Sequence, residues 1–139
     1  MSARDSNSAS VTIRCIGDSI VRESVDAVHG FCAAAGLDGN AAARLAIIVE
    51  ELVANLVEHG GAGAADAIEL SLTRADGGPV ALVLSDDGAA FDPREAPDDA
   101  AIPDRGGGAG LNLVRAWASI LDYRSEGGRN RMELSIPVG

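Results

Sequence analysis

Apolar and polar residues alternate over positions 11–16 (VTIRCI), the period of a strand with one buried face. Asp18 and Ser19 then offer N-caps to a helix that reaches about Ala35 and stops at Gly36. Residues 37–40 connect it to a longer helix over 39–59, with Asp38 as its cap. In that helix Leu45, Ile48, Val49, Leu52 and Leu56 recur at helical spacing and make an apolar stripe. Glycines 60, 61 and 63 end it. Alternation returns over 67–73 (AIELSLT). Asp76-Gly77-Gly78 predicts a hairpin turn, and 79–85 (PVALVLS) predicts a more buried return strand.

Residues 86–109 carry no periodicity. A loop of this length inside a compact domain is unusual and is more often functional than idle. It holds seven acids, from Asp86 to Asp104. A third helix is expected over 110–120, then a second hairpin with strands over 121–125 and 131–137 around Gly127-Gly128-Arg129-Asn130. The order β-α-α-β-β-loop-α-β-β groups helices together and strands in hairpins. It predicts an α+β two-layer sandwich: a mixed, mostly antiparallel sheet with three helices over one face, unlike a doubly wound fold. Residues 1–10 read as a disordered tail and 11–139 as one domain.

With 139 residues, 47% of them apolar, the chain can build a core unaided. Only Phe31, Phe91, Trp117 and Tyr123 are aromatic, so aliphatic side chains must fill it. The net charge is −10, and all 11 basic residues are arginine. That balance argues against nucleic acid or an anionic membrane as partner. The absence of lysine excludes a Walker-A loop, Schiff-base chemistry and the conventional protein-kinase fold. Any bound phosphate must be held by backbone amides, arginine or a metal. Cys15 and Cys32 do not form a CxxC pair and read as buried thiols of a reducing compartment. The first ten residues lack the apolar stretch of a signal peptide, and no run approaches the ~18 apolar residues of a membrane span. The expected location is the cytoplasm.

Three segments carry candidate chemistry. On the long helix, Glu51 and Asn55 are one turn apart, about 40° around the axis, at the edge of the apolar stripe. A carboxylate there can take a proton, and an amide oxygen is a hard ligand for Mg²⁺. Taken alone the pair is a polar boundary stripe. After the buried strand comes Ser85-Asp86-Asp87-Gly88-Ala89-Ala90-Phe91-Asp92-Pro93. This is either an acidic turn or a strand-end carboxylate set to accept from an exocyclic amine. Then Arg105-Gly106-Gly107-Gly108-Ala109-Gly110-Leu111 opens a helix. Glycine lets backbone approach an anion, and a helix N-terminus offers free N–H groups, although glycine-rich runs alone are weak signals.

In this order and spacing, Glu-x₃-Asn-x₃-His-Gly, Asp-x-Gly and Gly-Gly-x-Gly-Leu resemble the GHKL (HATPase) ATPase superfamily. The short lid near 92–105, the Asp-Asp-Gly-x-x-Phe-Asp-Pro run and the Leu-Val-Arg after the glycines resemble its anti-sigma-factor serine-protein kinases (RsbW/SpoIIAB-like) of bacterial partner switching. The likeness covers about 11–137. It implies a Bergerat-type fold that binds ATP and Mg²⁺. Glu51 falls on the general base toward a substrate hydroxyl, and Asn55 on the Mg²⁺ ligand. Asp86 falls on the adenine-reading aspartate, with Gly88 beside it. His59, Ala90, Gly107, Gly108, Gly110 and Leu111 fall among the nucleotide-binding positions. Asn130 stands where the superfamily often has threonine near adenine, and Arg105 is a candidate for the γ-phosphate.

Three departures stand out, the first being a lid near 92–105 whose acidity is odd beside ATP phosphates and suits solvent or a basic partner patch. Ala90 replaces a glycine of the wider superfamily. Ser119 occupies a third-helix position that is often acidic. The implied partners are a STAS-domain anti-sigma factor antagonist, phosphorylated on Ser or Thr, and a sigma factor or similar regulator held inactive. The chain would act as a homodimer, with Arg22 and Glu23 of the first helix as partner surface. Two other readings stay open: a nucleotide-dependent protein-binding regulator without kinase activity, and a histidine-kinase catalytic domain split from its phosphoacceptor helices.

Overall fold

The computed structural model describes residues 8–16, 19–59 (58 and 59 by backbone alone), 67–75, 77–87 and 113–138. Its elements run β1 (Ala9–Ile16), α1 (Ile20–Ala35), α2 (Gly39–His59), β2 (Ala67–Arg74), β3 (Val80–Asp86), α3 (113–117), β4 (Ser119–Glu126) and β5 (Arg129–Ile136). The five strands form one sheet in the order β1-β2-β3-β5-β4. Among the described residues every ladder is antiparallel, where a mixed, mostly antiparallel sheet was expected. The two-helix excursion from β1 returns the chain beside it in the opposite direction.

The register builds the core in rows across the sheet. Ile13, Leu70, Leu84, Met132 and Tyr123 face one another strand by strand, and so do Val11, Leu72, Leu82, Leu134 and Ile120. Against this face pack Val28, Phe31 and Cys32 of α1 and Leu45, Ile48, Val49, Leu52, Val53 and Leu56 of α2. Each such aliphatic side chain removed from water is worth about 1.5–3 kcal/mol. Val53 is fully buried, although it lies outside the stripe read from spacing, because α2 packs on both the sheet and α1.

Local chemistry explains the boundaries. The Ala41 N–H donates to Asp38 Oδ1 at 2.8 Å, the cap the sequence offers to α2 and worth about 1 kcal/mol. Gly36, at φ 71°, ends α1, with the Leu37 N–H on Cys32 O and its own N–H on Ala33 O. Ser19 stands at the N-cap of α1, but its side chain makes no capping bond to the backbone. Its hydroxyl donates instead to Glu23 Oε2 at 2.7 Å. Asp18, the other candidate cap, lies outside the described residues. Arg74 ties the layers together, donating from Nε to Gly78 O (2.9 Å) and from Nη1 to Ala35 O at the end of α1 (3.0 Å).

Three boundaries differ from the pattern. β1 begins at Ala9, so Ala9 and Ser10 leave the expected tail and pair with Arg74 and Thr73. The described part of the third helix is 113–117, and Ser119 and Ile120 belong to β4. Ile120 pairs with Leu134, and Leu121 is the extra residue of a bulge before Asp122. Strand pairing therefore overrides the helical period there, and Ser119 is not a helix residue. In the last hairpin only Gly127 and Gly128 turn, at φ 61° and 79°. Such a two-residue turn matches the strand twist and leaves Arg129 and Asn130 inside β5.

Candidate functional site

Alternation along β3 puts Val80, Leu82, Leu84 and then Asp86 on the helix-covered face, and β5 does the same with Ile136, Leu134, Met132 and Asn130. Register sets Asp86 directly opposite Asn130. The apolar rows of the core thus end in a polar one, with Asp86 2% and Asn130 3% exposed. A carboxylate this deep needs hydrogen-bond partners, since unpaired burial costs several kcal/mol or more. Asn130 Nδ2 donates to Asp86 Oδ2 at 3.3 Å, and Ser125 Oγ donates to Asn130 Oδ1 at 2.6 Å.

Behind this pair, on the open face of the sheet, Arg129 holds the exit of β3. Its Nη1 lies 2.6 Å from Asp87 Oδ1, and Nη2 lies 3.7 Å from Glu69 Oε1. Both contacts are half exposed, so they fix geometry more than they add stability.

On α2 the Asn55 side chain bonds to the Glu51 backbone. Asn55 is 5% exposed, at the sheet-facing edge of α2 as its spacing predicts, and Glu51 is half-buried. Asn55 Nδ2 donates to Glu51 O at 2.7 Å, which fixes the amide and leaves Oδ1 as the acceptor. Glu50, beside them, is exposed. A buried carboxylate next to an amide suits an exocyclic amine, and an oriented amide oxygen suits a hard cation.

The structure thus places Glu51, Asn55, Asp86 and Asn130, joining the first two on one helix turn and the last two across one ladder. His59 is placed by backbone alone at the end of α2. Gly88, Ala90, Arg105, Gly107, Gly108, Gly110 and Leu111 lie outside the described residues. Ser125 was not among the residues read as functional. Its signal lay in the turn: a two-residue Gly127-Gly128 turn pairs 126 with 129 and 125 with 130.

Titration shifts are resolved at Cys15, Glu23 and Cys32, on β1 and α1. Burial raises the Cys15 and Cys32 thiols above the ordinary cysteine range, Cys15 also through its bond to Glu23. Hydrogen bonds from Ser19 and then Cys15 hold the Glu23 carboxyl below its usual value. Both cysteines are free and buried, as expected. Among the described residues, no helix is long and apolar enough to cross a membrane.

A five-stranded antiparallel sheet under three helices, with an acid at the end of β3 and a Glu/Asn pair on α2, is a GHKL-like ATPase architecture. The chain belongs to the histidine kinase-like ATPase domain family, whose sequence model matches residues 19–136. Membership implies ATP binding. No curated protein matches the chain by sequence. Among solved structures it is similar to the SiaB–SiaC complex from Pseudomonas aeruginosa: 19% identity, 91% of this chain and 88% of that one covered, TM-score 0.56. It is also similar to the blue-light activated histidine kinase EL346 of Erythrobacter litoralis, at 21% identity over 73% of this chain and TM-score 0.52. The match covers 32% of that kinase's chain. At these identities the likeness is one of fold.

Proposed function

We propose that this chain is an ATP-dependent serine/threonine-protein kinase and anti-sigma factor of a partner-switching system. It phosphorylates a STAS-domain anti-sigma factor antagonist and otherwise sequesters a sigma factor or a similar regulator. The observation that carries the nucleotide part is the buried Asp86–Asn130 pair closing the apolar rows of the sheet. An acceptor fixed that deeply, beside an amide, recognises the amine edge of adenine. The serine-kinase part rests on the position of Glu51 one turn before the buried Asn55 on α2 and on the resemblance in the motifs.

In the reaction, a substrate hydroxyl oxygen bonds to the γ-phosphorus, the bond to the β–γ bridging oxygen breaks and ADP leaves. Glu51 accepts the hydroxyl proton or orients the hydroxyl. Asn55 Oδ1 would hold Mg²⁺, which when bound neutralises charge on the triphosphate. Gly107, Gly108 and Gly110 bring backbone amides to the phosphates, with Arg105 as the cation for the γ-phosphate. His59, Gly88, Ala90 and Leu111 complete the nucleotide pocket. The protein would work in the cytoplasm as a homodimer, with the exposed Arg22 and Glu23 of α1 facing a partner.

Calorimetry tests the first step. Wild type should bind Mg-ATP and ADP. Asp86→Asn should lose both, because an amide there meets both Asn130 Nδ2 and the base with its acceptor capacity halved. Incubation with labelled ATP and a STAS-domain antagonist tests the second, the expected product being an acid-stable phosphoester. An acid-labile product would favour transfer to histidine. Nucleotide binding with an unmodified partner would favour a binding regulator without kinase activity. A wild type that binds neither nucleotide overturns the reading.

A further inference from the structure

We propose that Ser125 is a positioning residue that sharpens the base preference of this site, by helping to hold the Asn130 amide in one orientation against Asp86. The proposal rests on the adenine-nucleotide reading of that end of the sheet.

Register places Ser125 opposite Asn130, and Asn130 opposite Asp86. Three polar side chains therefore share one row across β4, β5 and β3, on the face whose next two rows are Tyr123-Met132-Leu84 and Ile120-Leu134-Leu82. The row runs from an exposed edge strand to a nearly closed interior, since Ser125 is exposed and Asp86 is 2% exposed. Its hydrogen bonds run in one direction. The Ser125 hydroxyl donates to Asn130 Oδ1 at 2.6 Å, and Asn130 Nδ2 donates to Asp86 Oδ2 at 3.3 Å.

An amide oxygen only accepts and an amide nitrogen only donates. With Oδ1 held by Ser125, Nδ2 faces the carboxylate, which then needs no proton to satisfy it and stays an acceptor for the base. A ligand with an exocyclic amine meets that acceptor; one without the amine does not. The reversed amide would set Oδ1 against Asp86, and only a protonated carboxyl could satisfy that arrangement. Such a carboxyl spends its donor on Asn130 and weakens the contact with the amine. Asp86 and Asn130 each hold a further interaction, so Ser125 tunes a network and does not create it.

Ser125→Thr and Ser125→Val have nearly the same shape and differ in the hydroxyl. Both residues favour strands, and the position is an exposed edge. Titrate wild type and both variants by calorimetry with ATP and with purine riboside triphosphate, which differs from ATP only by lacking the exocyclic amine. The expected result is that Ser125→Val lowers the ATP-to-purine-riboside affinity ratio about fivefold, while Ser125→Thr keeps the wild-type ratio. An equal loss of both ligands in Ser125→Val, no loss at all, or the same fall in both variants overturns the role of the hydroxyl. A wild type that binds neither ligand overturns the nucleotide reading as well.

Discussion

Asn55 turns its amide nitrogen onto the carbonyl of Glu51, 2.7 Å away and one turn earlier on α2. This contact orients a side chain that is 5% exposed, and with it the only acceptor the amide has. In Asn55→Ala the acceptor is lost while the helix keeps its own backbone bonds. Nucleotide affinity should then respond little to Mg²⁺, where wild type should bind more tightly with the cation than with a chelator. Paired titrations with Mg²⁺ and with EDTA check this. Thermal unfolding should register a cost of about 1 kcal/mol for the side-chain bond.

Glu51 is half-buried and stands at the edge of the same helix face. If its carboxylate handles the proton of the accepting hydroxyl, Glu51→Gln should bind Mg-ATP as wild type does and transfer phosphate about 10²–10⁴-fold more slowly. Single-turnover transfer to a STAS-domain substrate, set beside a binding isotherm, separates the two effects. Equal losses of binding and transfer would instead make Glu51 part of the nucleotide pocket.

Leu82 lies at the centre of the sheet, fully buried between Leu72 of β2 and Leu134 of β5. Helices cover one side of it and neighbouring strands flank it, so the space left by truncation cannot collapse easily. Leu82→Ala should cost about 2–5 kcal/mol in a denaturant titration with unchanged slope. A cost below about 1 kcal/mol would mean that the sheet relaxes around the gap.

Where one signal acted alone, the sequence located the element. The Leu45, Ile48, Val49, Leu52 and Leu56 stripe and the Asp38 cap are both in place on α2. The alternation of Ile68, Leu70 and Leu72 marks β2, all three being buried. Where two signals competed, the boundary moved. Residues 110–120 carry a helical pattern, yet Ser119 and Ile120 answer to Ser135 and Leu134 on β5, a pairing that no local window contains. The direction of β1 relative to β2 was equally hidden, because it depends on how two helices return the chain. At the site, Asp86 was legible as a strand-end acid, and Asn130 as a turn residue that only the resemblance set near a nucleotide base. That they face each other and reach Ser125 became visible only through register, once Gly127 and Gly128 are seen to make the whole turn.

Cys15 on β1 and Cys32 on α1 are buried free thiols, and burial raises both above the ordinary cysteine range. The thiolate, not the thiol, reacts with alkylating reagents. Native protein at neutral pH should therefore label slowly with iodoacetamide, and both sites should label at once in denaturant. The same shifts set a sign for stability. A group that binds its proton more tightly when folded contributes fully below its unfolded pKa, and that contribution fades as pH rises through the folded value. Stability should thus fall as the solution is taken above the ordinary cysteine range. Replacing both residues with alanine should flatten the fall while lowering the plateau through lost packing. Denaturant midpoints measured across alkaline pH for wild type and the double variant check the sign. Equal slopes in the two proteins would place the titration elsewhere.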